Sequence, residues 1–132
     1  MVLHISYLAS DNNADVLARS HKIITTMIAD KPYDLVADAA LLFIATGGTE
    51  QKVLPLIDKH QAFILIAHRE KNSWAATMEI AAYLRDHHKK VLLVDALASD
   101  SRRNFEEALS LKKAFDVLNQ TRLLLLVRFR NG

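Results

Sequence analysis

The sequence predicts a doubly wound α/β fold, with one parallel sheet of about five strands lying between two helical layers. Three observations carry that prediction. Short, unbroken apolar runs recur at Ala39 to Ala45, Phe63 to Ala67 and Val91 to Val94, and a run without polar alternation suits a strand covered on both faces. Segments of helical period separate these runs, and regular strand–helix alternation favours right-handed crossovers and a parallel sheet. The length of 132 residues matches one domain, which at this size buries roughly two-thirds of its unfolded surface. Three glycines, two prolines and no repeat or low-complexity stretch leave no place for a domain boundary.

The first strand is expected over Leu3 to Leu8, followed by the cap-rich segment SDNNAD. Asn13 is placed to cap the next helix and Asp15 to meet its dipole. Val16, Leu17, Ile24, Met27 and Ile28 keep helical spacing on its sticky face, and Asp30-Lys31-Pro32 ends it. Ala39 to Ala45 is a strand stopped by Gly47-Gly48, after which the chain reads helically from Glu50 to about Lys59. Asn72-Ser73 caps a helix reaching about His88, with Trp74, Met78, Ala81 and Leu84 on its buried stripe. Asp100 or Ser101 caps a last helix carrying Phe105, Ala108, Leu111, Phe115 and Leu118 on one face, and Leu123 to Val127 is expected as a fifth strand.

Composition narrows the chemistry. Without cysteine there is no disulfide, thiolate metal site or cysteine nucleophile. Seventeen basic residues stand against 15 acidic ones, a formal charge of +2, and the bases are scattered apart from Arg122, Arg128 and Arg130. A nucleic-acid binder would show a basic stripe with interleaved aromatics, so a solvated surface and no nucleic-acid partner are expected. The N-terminus has no basic stretch leading into a long apolar run, and no segment offers the ~20 apolar residues of a membrane span. A soluble, cytoplasmic protein without a membrane partner is the expectation.

In doubly wound sheets ligands bind at the carboxyl ends of the strands, which directs attention to Ser10 to Asn13, Thr46 to Glu50, His68 to Trp74 and Asp95 to Ser101. The segment TGGTE, comprising Thr46, Gly47, Gly48, Thr49 and Glu50, can turn tightly and open amides to an anion or a sugar hydroxyl; a plain turn with Thr49 as cap is the other reading. It lacks the lysine and Ser/Thr of a P-loop. In HREKNSW, the residues His68, Arg69, Asn72, Ser73 and Trp74 supply an imidazole, a guanidinium, an amide, a hydroxyl and an indole. That density suits a polyol, and a solvated loop with a helix cap is its alternative. His4, His21, His60, His68, His87 and His88 show no metal-ligand spacing, and Asp95 reads as either functional or a loop carboxylate. A phosphorelay receiver would need an acidic pair after the first strand and an Asp ending the third; Ser10-Asp11 and His68 stand there instead. A flavodoxin's phosphate loop would need the glycine that SDNNAD lacks.

With TGGTE followed by FILIAHREKNSWAATMEIAAYL, the sequence resembles the N-terminal domain of the L-fucose/L-arabinose isomerase superfamily, particularly its bacterial sugar-isomerase-like members. The shared pattern is a strand leading into TGGTE, a helix, a second apolar strand, and an Asn-Ser pair opening an alanine-rich helix that contains a Glu, here Glu79. It covers about Ala39 to Asp95. The resemblance implies a three-layer, flavodoxin-like or Rossmann-like domain from an aldose–ketose isomerase, in which manganese polarises the substrate oxygens while acid–base groups move a proton through an enediol. It also implies that the metal ligands belong to later domains, so no catalytic residue, metal ligand or cofactor is expected in this chain. Thr46 to Glu50, Asn72 and Ser73 would contact a small-molecule sugar or shape its pocket, in a homo-oligomer where one subunit completes a neighbour's pocket. A free-standing regulatory or binding domain for a small polar ligand is the alternative. By the same resemblance the first domain runs on through RLGxxG into GxxSxW, so Leu123 to Gly132 is expected to be an out-of-frame tail. The codons of the last residues can be chosen so that the adjacent frame reads Gly-Gln-Ile-Ser-Glu-Trp.

Overall fold

A computed structural model describes residues 2–131. Its elements run β1 (Leu3–Leu8), α1 (Ala14–Met27), β2 (Tyr33–Leu35), β3 (Leu41–Ile44), a 3-10 helix (Glu50–Leu56), β4 (Ala62–Ala67), α2 (Ser73–Asp86), β5 (Lys90–Asp95) and α3 (Ser101–Asn131). The five strands form one sheet in the order β2-β1-β3-β4-β5, parallel throughout. This is a three-layer doubly wound architecture. Every residue of β3 and β4 is buried, as unbroken apolar runs demand of central strands.

Two cores follow from the period of two along each strand. On one face Ile5, Phe43, Ile64, Ile66 and Val94 pack with Ile24 and Met27 of α1 and Phe105 of α3. On the other, Leu8, Leu42, Ile44, Phe63 and Leu65 pack with Val53 of the 3-10 helix and Ile80 and Leu84 of α2.

The passage from β2 to β3 has no helix. Ile5 pairs with Leu35 on one side and Leu41 on the other, so β2 flanks the first half of β1 and β3 the second. The chain crosses β1 through Val36 to Ala40, directly over Ser6. The Ser6 hydroxyl donates to Val36 O and accepts from Ala39 N, both at 2.9 Å. A small hydroxyl at this position lets the backbone approach and satisfies two of its polar groups.

Several expectations are corrected. The fifth strand is not Leu123 to Val127: that segment continues α3, and the remaining strand is the three-residue β2. No Gly or Pro interrupts the chain between Ser101 and Asn131, and leucine is among the better helix formers, so nothing stops the helix before the apolar run. Gly132 lies outside the described residues. The helix expected from Glu50 to Lys59 is a 3-10 helix ending at Leu56, with Pro55 inside it. Met78 is exposed and Trp74 only half-buried, because Ala76, Thr77 and Ile80 face the sheet instead. Leu17 of α1 is exposed as well. Leu111 and Leu118 are exposed too: at 31 residues α3 is about 46 Å long against the ~20 Å of a six-residue strand, so its later turns have no sheet beneath them. Among the described residues, no helix is long and apolar enough to cross a membrane.

Candidate functional site

The strand order reverses between β1 and β3, where the loops after the two strands diverge and leave the crevice in which ligands of such sheets bind. A cavity of about 440 Å³ occupies that point. Of the residues singled out from the sequence, Thr46, Gly47, Gly48, Glu50 and Asn72 line it; Ser10, Asp11, Asn13, Lys71 and Glu79 complete its polar surface.

Close backbone contacts build the walls. Ser10 N donates to Thr46 Oγ1 at 2.8 Å, tying the two diverging loops together. Gly47 N donates to Lys71 O at 2.8 Å, which joins the β3 loop to the loop before α2. A side chain at Gly47 would place its Cβ 3.0 Å from Asn72 Cβ, so only glycine allows this approach without displacement. Gly48 has φ +72, and Lys71 and Asn72 are left-handed as well, with φ 53 and 59. Asn72 stands at the N-cap of α2 without a side-chain capping bond, which leaves its amide for the pocket. Lys52 Nζ reaches back to donate to Ala9 O at 2.6 Å.

Three of the expected contact residues are pins beneath the pocket. Thr49 is fully buried and its hydroxyl donates to Thr46 O at 3.2 Å. Ser73, also fully buried, donates its hydroxyl to Ile44 O and accepts from His68 N. His68 is buried against Phe43, with ring centroids 5.8 Å apart. Its Nδ1 accepts from Glu70 N at 3.0 Å, and its Nε2, 3.1 Å from Ala45 O, therefore carries the proton. Burial pushes the imidazole pKa below its ordinary value, partly offset by the Glu70 carboxylate. The buried neutral ring thus clasps the β3 loop to the loop before α2.

Arg69 and Trp74 do not line the switch-point pocket. The Arg69 guanidinium lies 5.7 Å from the centre of the Trp74 ring and 3.5 Å from Asp95 Oδ2, at the end of β5. Asp95 itself accepts from Leu97 N at 3.1 Å, the role of a loop carboxylate.

Of the lining residues the sequence reading left uncommitted, Ser10 and Asp11 follow the strand at which the order reverses, and Lys71 precedes an Asn, a residue that tolerates the left-handed region. Those were the available signals. Electrostatically the pocket carries the carboxylates of Asp11, Glu50 and Glu79 against the Lys71 ammonium, an arrangement that suits a neutral hydroxylated ligand better than a phosphate. No three His, Asp or Glu side chains among the described residues are grouped to hold a metal ion. The N-terminus of α1 is closed to ligand, since Asn13 Oδ1 already accepts from Asp15 N and Val16 N. In comparison with known proteins, the chain matches no family model, no curated protein and no solved structure.

Proposed function

We propose that this chain is the N-terminal domain of an aldose–ketose isomerase of the L-fucose/L-arabinose isomerase superfamily, and that it holds and orients the sugar rather than transforming it. The observation that supports the reading is the meeting of Thr46, Gly47, Gly48 and Glu50 with Asn72 around one polar cavity at the switch point, since these segments carried the resemblance. Carboxylates at Asp11, Glu50 and Glu79 accept from sugar hydroxyls, while the Lys71 ammonium and Asn72 amide donate to them. Thr49, His68 and Ser73 act one step back, by fixing the loops. Manganese, implied for the family, does not fit this pocket's own donors. The chain works as a homo-oligomer in this proposal, to which the exposed Leu111, Val117 and Leu118 of α3 lend support.

Chemical-shift mapping with a panel of neutral aldoses, ketoses and polyols tests the site. Perturbations are expected at Thr46 to Glu50 and at Lys71 and Asn72; perturbations confined to the opposite edge, around Asp34 or Lys90, would overturn it. The same panel assayed with manganese should show no isomerisation by this chain alone. Turnover that survives purification and vanishes on chelation would overturn the division of labour.

A further inference from the structure

We propose that the groove between α1 and the N-terminal end of α3 binds a phosphate group. This cavity, about 830 Å³, is separate from the switch-point pocket. Arg19, Lys22 and Thr26 form its α1 wall, and Ser101, Arg102 and Arg103 its α3 wall.

Charge, helix end and hydroxyl all converge on the same ligand chemistry. Four cationic side chains line the groove against the carboxylates of Asp100 and Glu106. Glu106 is already engaged by Lys31, and Asp100 leans toward the Arg103 guanidinium at 3.6 Å. Arg102 donates from one guanidinium nitrogen to Thr26 O at 3.0 Å, which fixes it across the groove with other donors to spare. The positive end of the α3 dipole opens here; Ser101 N already donates to Ala98 O at 3.0 Å, so an anion would be stabilised by the amides that follow it in the first turn.

Ser101 supplies the independent indication. It is only 8 % exposed, yet its hydroxyl takes no hydrogen-bond partner among the described residues. Every fully enclosed side-chain polar atom among those residues is partnered, so this hydroxyl keeps some accessible surface, on a residue that lines the groove. A hydroxyl, a helix N-terminus and cations from two walls are the donors that a tetrahedral dianion requires.

The experiment titrates the chain with inorganic phosphate and, in a parallel arm, with ribose 5-phosphate, at constant ionic strength, following amide shifts. Saturable perturbations are expected at Ser101 to Arg103 and at Lys22. Lys22→Glu, an exposed change that leaves the core intact, and Ser101→Ala should each weaken binding roughly tenfold. If Ser101→Ala does not fold, Lys22→Glu alone decides. Tighter binding of the ester identifies an organic phosphate as the ligand, and equal binding identifies free phosphate; either supports the site. No perturbation at Ser101 to Arg103 up to about 50 mM phosphate, or binding indifferent to Lys22→Glu, overturns it. The sugar titration reads a different cavity, so each proposal can fail without the other.

Discussion

Arg19 of the α1–α3 groove pairs with Glu70, the neighbour in sequence of Lys71 in the switch-point pocket, yet the two cavities are held together in opposite ways. Three carboxylates face one ammonium in the pocket, and its loops are clasped by buried groups: Ser73 to Ile44 O, His68 to Ala45 O, Thr49 to Thr46 O. Cations predominate in the groove, and the contacts around it are made by exposed side chains such as Arg19, Lys31 and Arg103. Buried hydrogen bonds are costly to break because the orphaned partner stays dry, whereas exposed ion pairs are screened and contribute little. The pocket should therefore be a structural feature that also binds, and the groove a binding surface that the fold hardly notices.

The sharpest way to break that distinction is at Ser73. Ser73→Ala strands Ile44 O and His68 N in the core together, which should cost about 2 to 4 kcal/mol, read as a lower urea midpoint with unchanged slope. A loss too small to measure would mean that the loops are not clasped from below. Gly47→Ala ranks next. Its added Cβ would stand 3.0 Å from Asn72 Cβ, and relieving that overlap should cost about 1 to 2 kcal/mol while also lowering sugar affinity at the switch point. Phosphate binding in the groove should be unaffected by this change; parallel losses at both sites would show that the two cavities are not independent.

Protonation probes the same clasp more gently. The imidazole of His68 has a folded pKa lowered by burial from its ordinary value of 6.5, so the unfolded chain takes up its proton first as pH falls. The stability contributed by the neutral ring is complete above about pH 6.5 and declines as pH drops from there toward the lower folded pKa. One proton can tilt stability by at most about 1.4 kcal/mol per pH unit. Urea unfolding at a series of pH values, compared with His68→Gln, isolates this contribution from the carboxylates that titrate lower. A variant with the same slope as the parent would remove His68 from the account.

How much of this was legible in the sequence depended on whether local pattern or tertiary contact decided the outcome. The central strands β3 and β4 were plain because burial on both faces leaves an apolar run, and Asn13 was plain because capping is local. Tyr33–Leu35 was not, being three residues long with Asp34 exposed. The run after Arg122 has the composition of a buried strand, but its conformation was set by what precedes it, an uninterrupted helix. At the site, the glycine loop and Asn72 were legible as residues of the strand-end crevice. That His68 and Ser73 point down into the structure was not, since the carbonyls of Ala45 and Ile44 that they bind lie more than 20 residues away in sequence; Thr49 binds the nearby Thr46 O, but only the packed loops bury it. Arg69 and Trp74 share a segment with His68 and Asn72, yet Arg69 ends up beside Asp95 with Trp74 against it, a separation that linear proximity conceals.

The smallest expected effect lies at the Arg19–Glu70 pair itself. Arg19 Nη2 and Glu70 Oε2 are 3.0 Å apart, with both side chains nearly half exposed, and the hydrogen bond from Arg19 holds the Glu70 carboxyl below its ordinary pKa. Exposed pairs of this kind leave stability almost untouched, so Glu70→Gln should move Tm by no more than about 1 °C. The Glu70 amide that bonds His68 Nδ1 belongs to the backbone and survives the substitution, so the pocket should bind sugar as before. In the groove, however, Arg19 loses the carboxylate that partly neutralises it. Phosphate affinity should then rise about two- to threefold at low salt, and the gain should shrink as ionic strength shortens the Debye length to ~8 Å. A fall in Tm of several degrees would mean that the ion pair carries part of the clasp. A phosphate affinity that did not change would mean that Arg19 lines the groove without acting in it, and would shift the site toward Lys22, Arg102 and the end of α3.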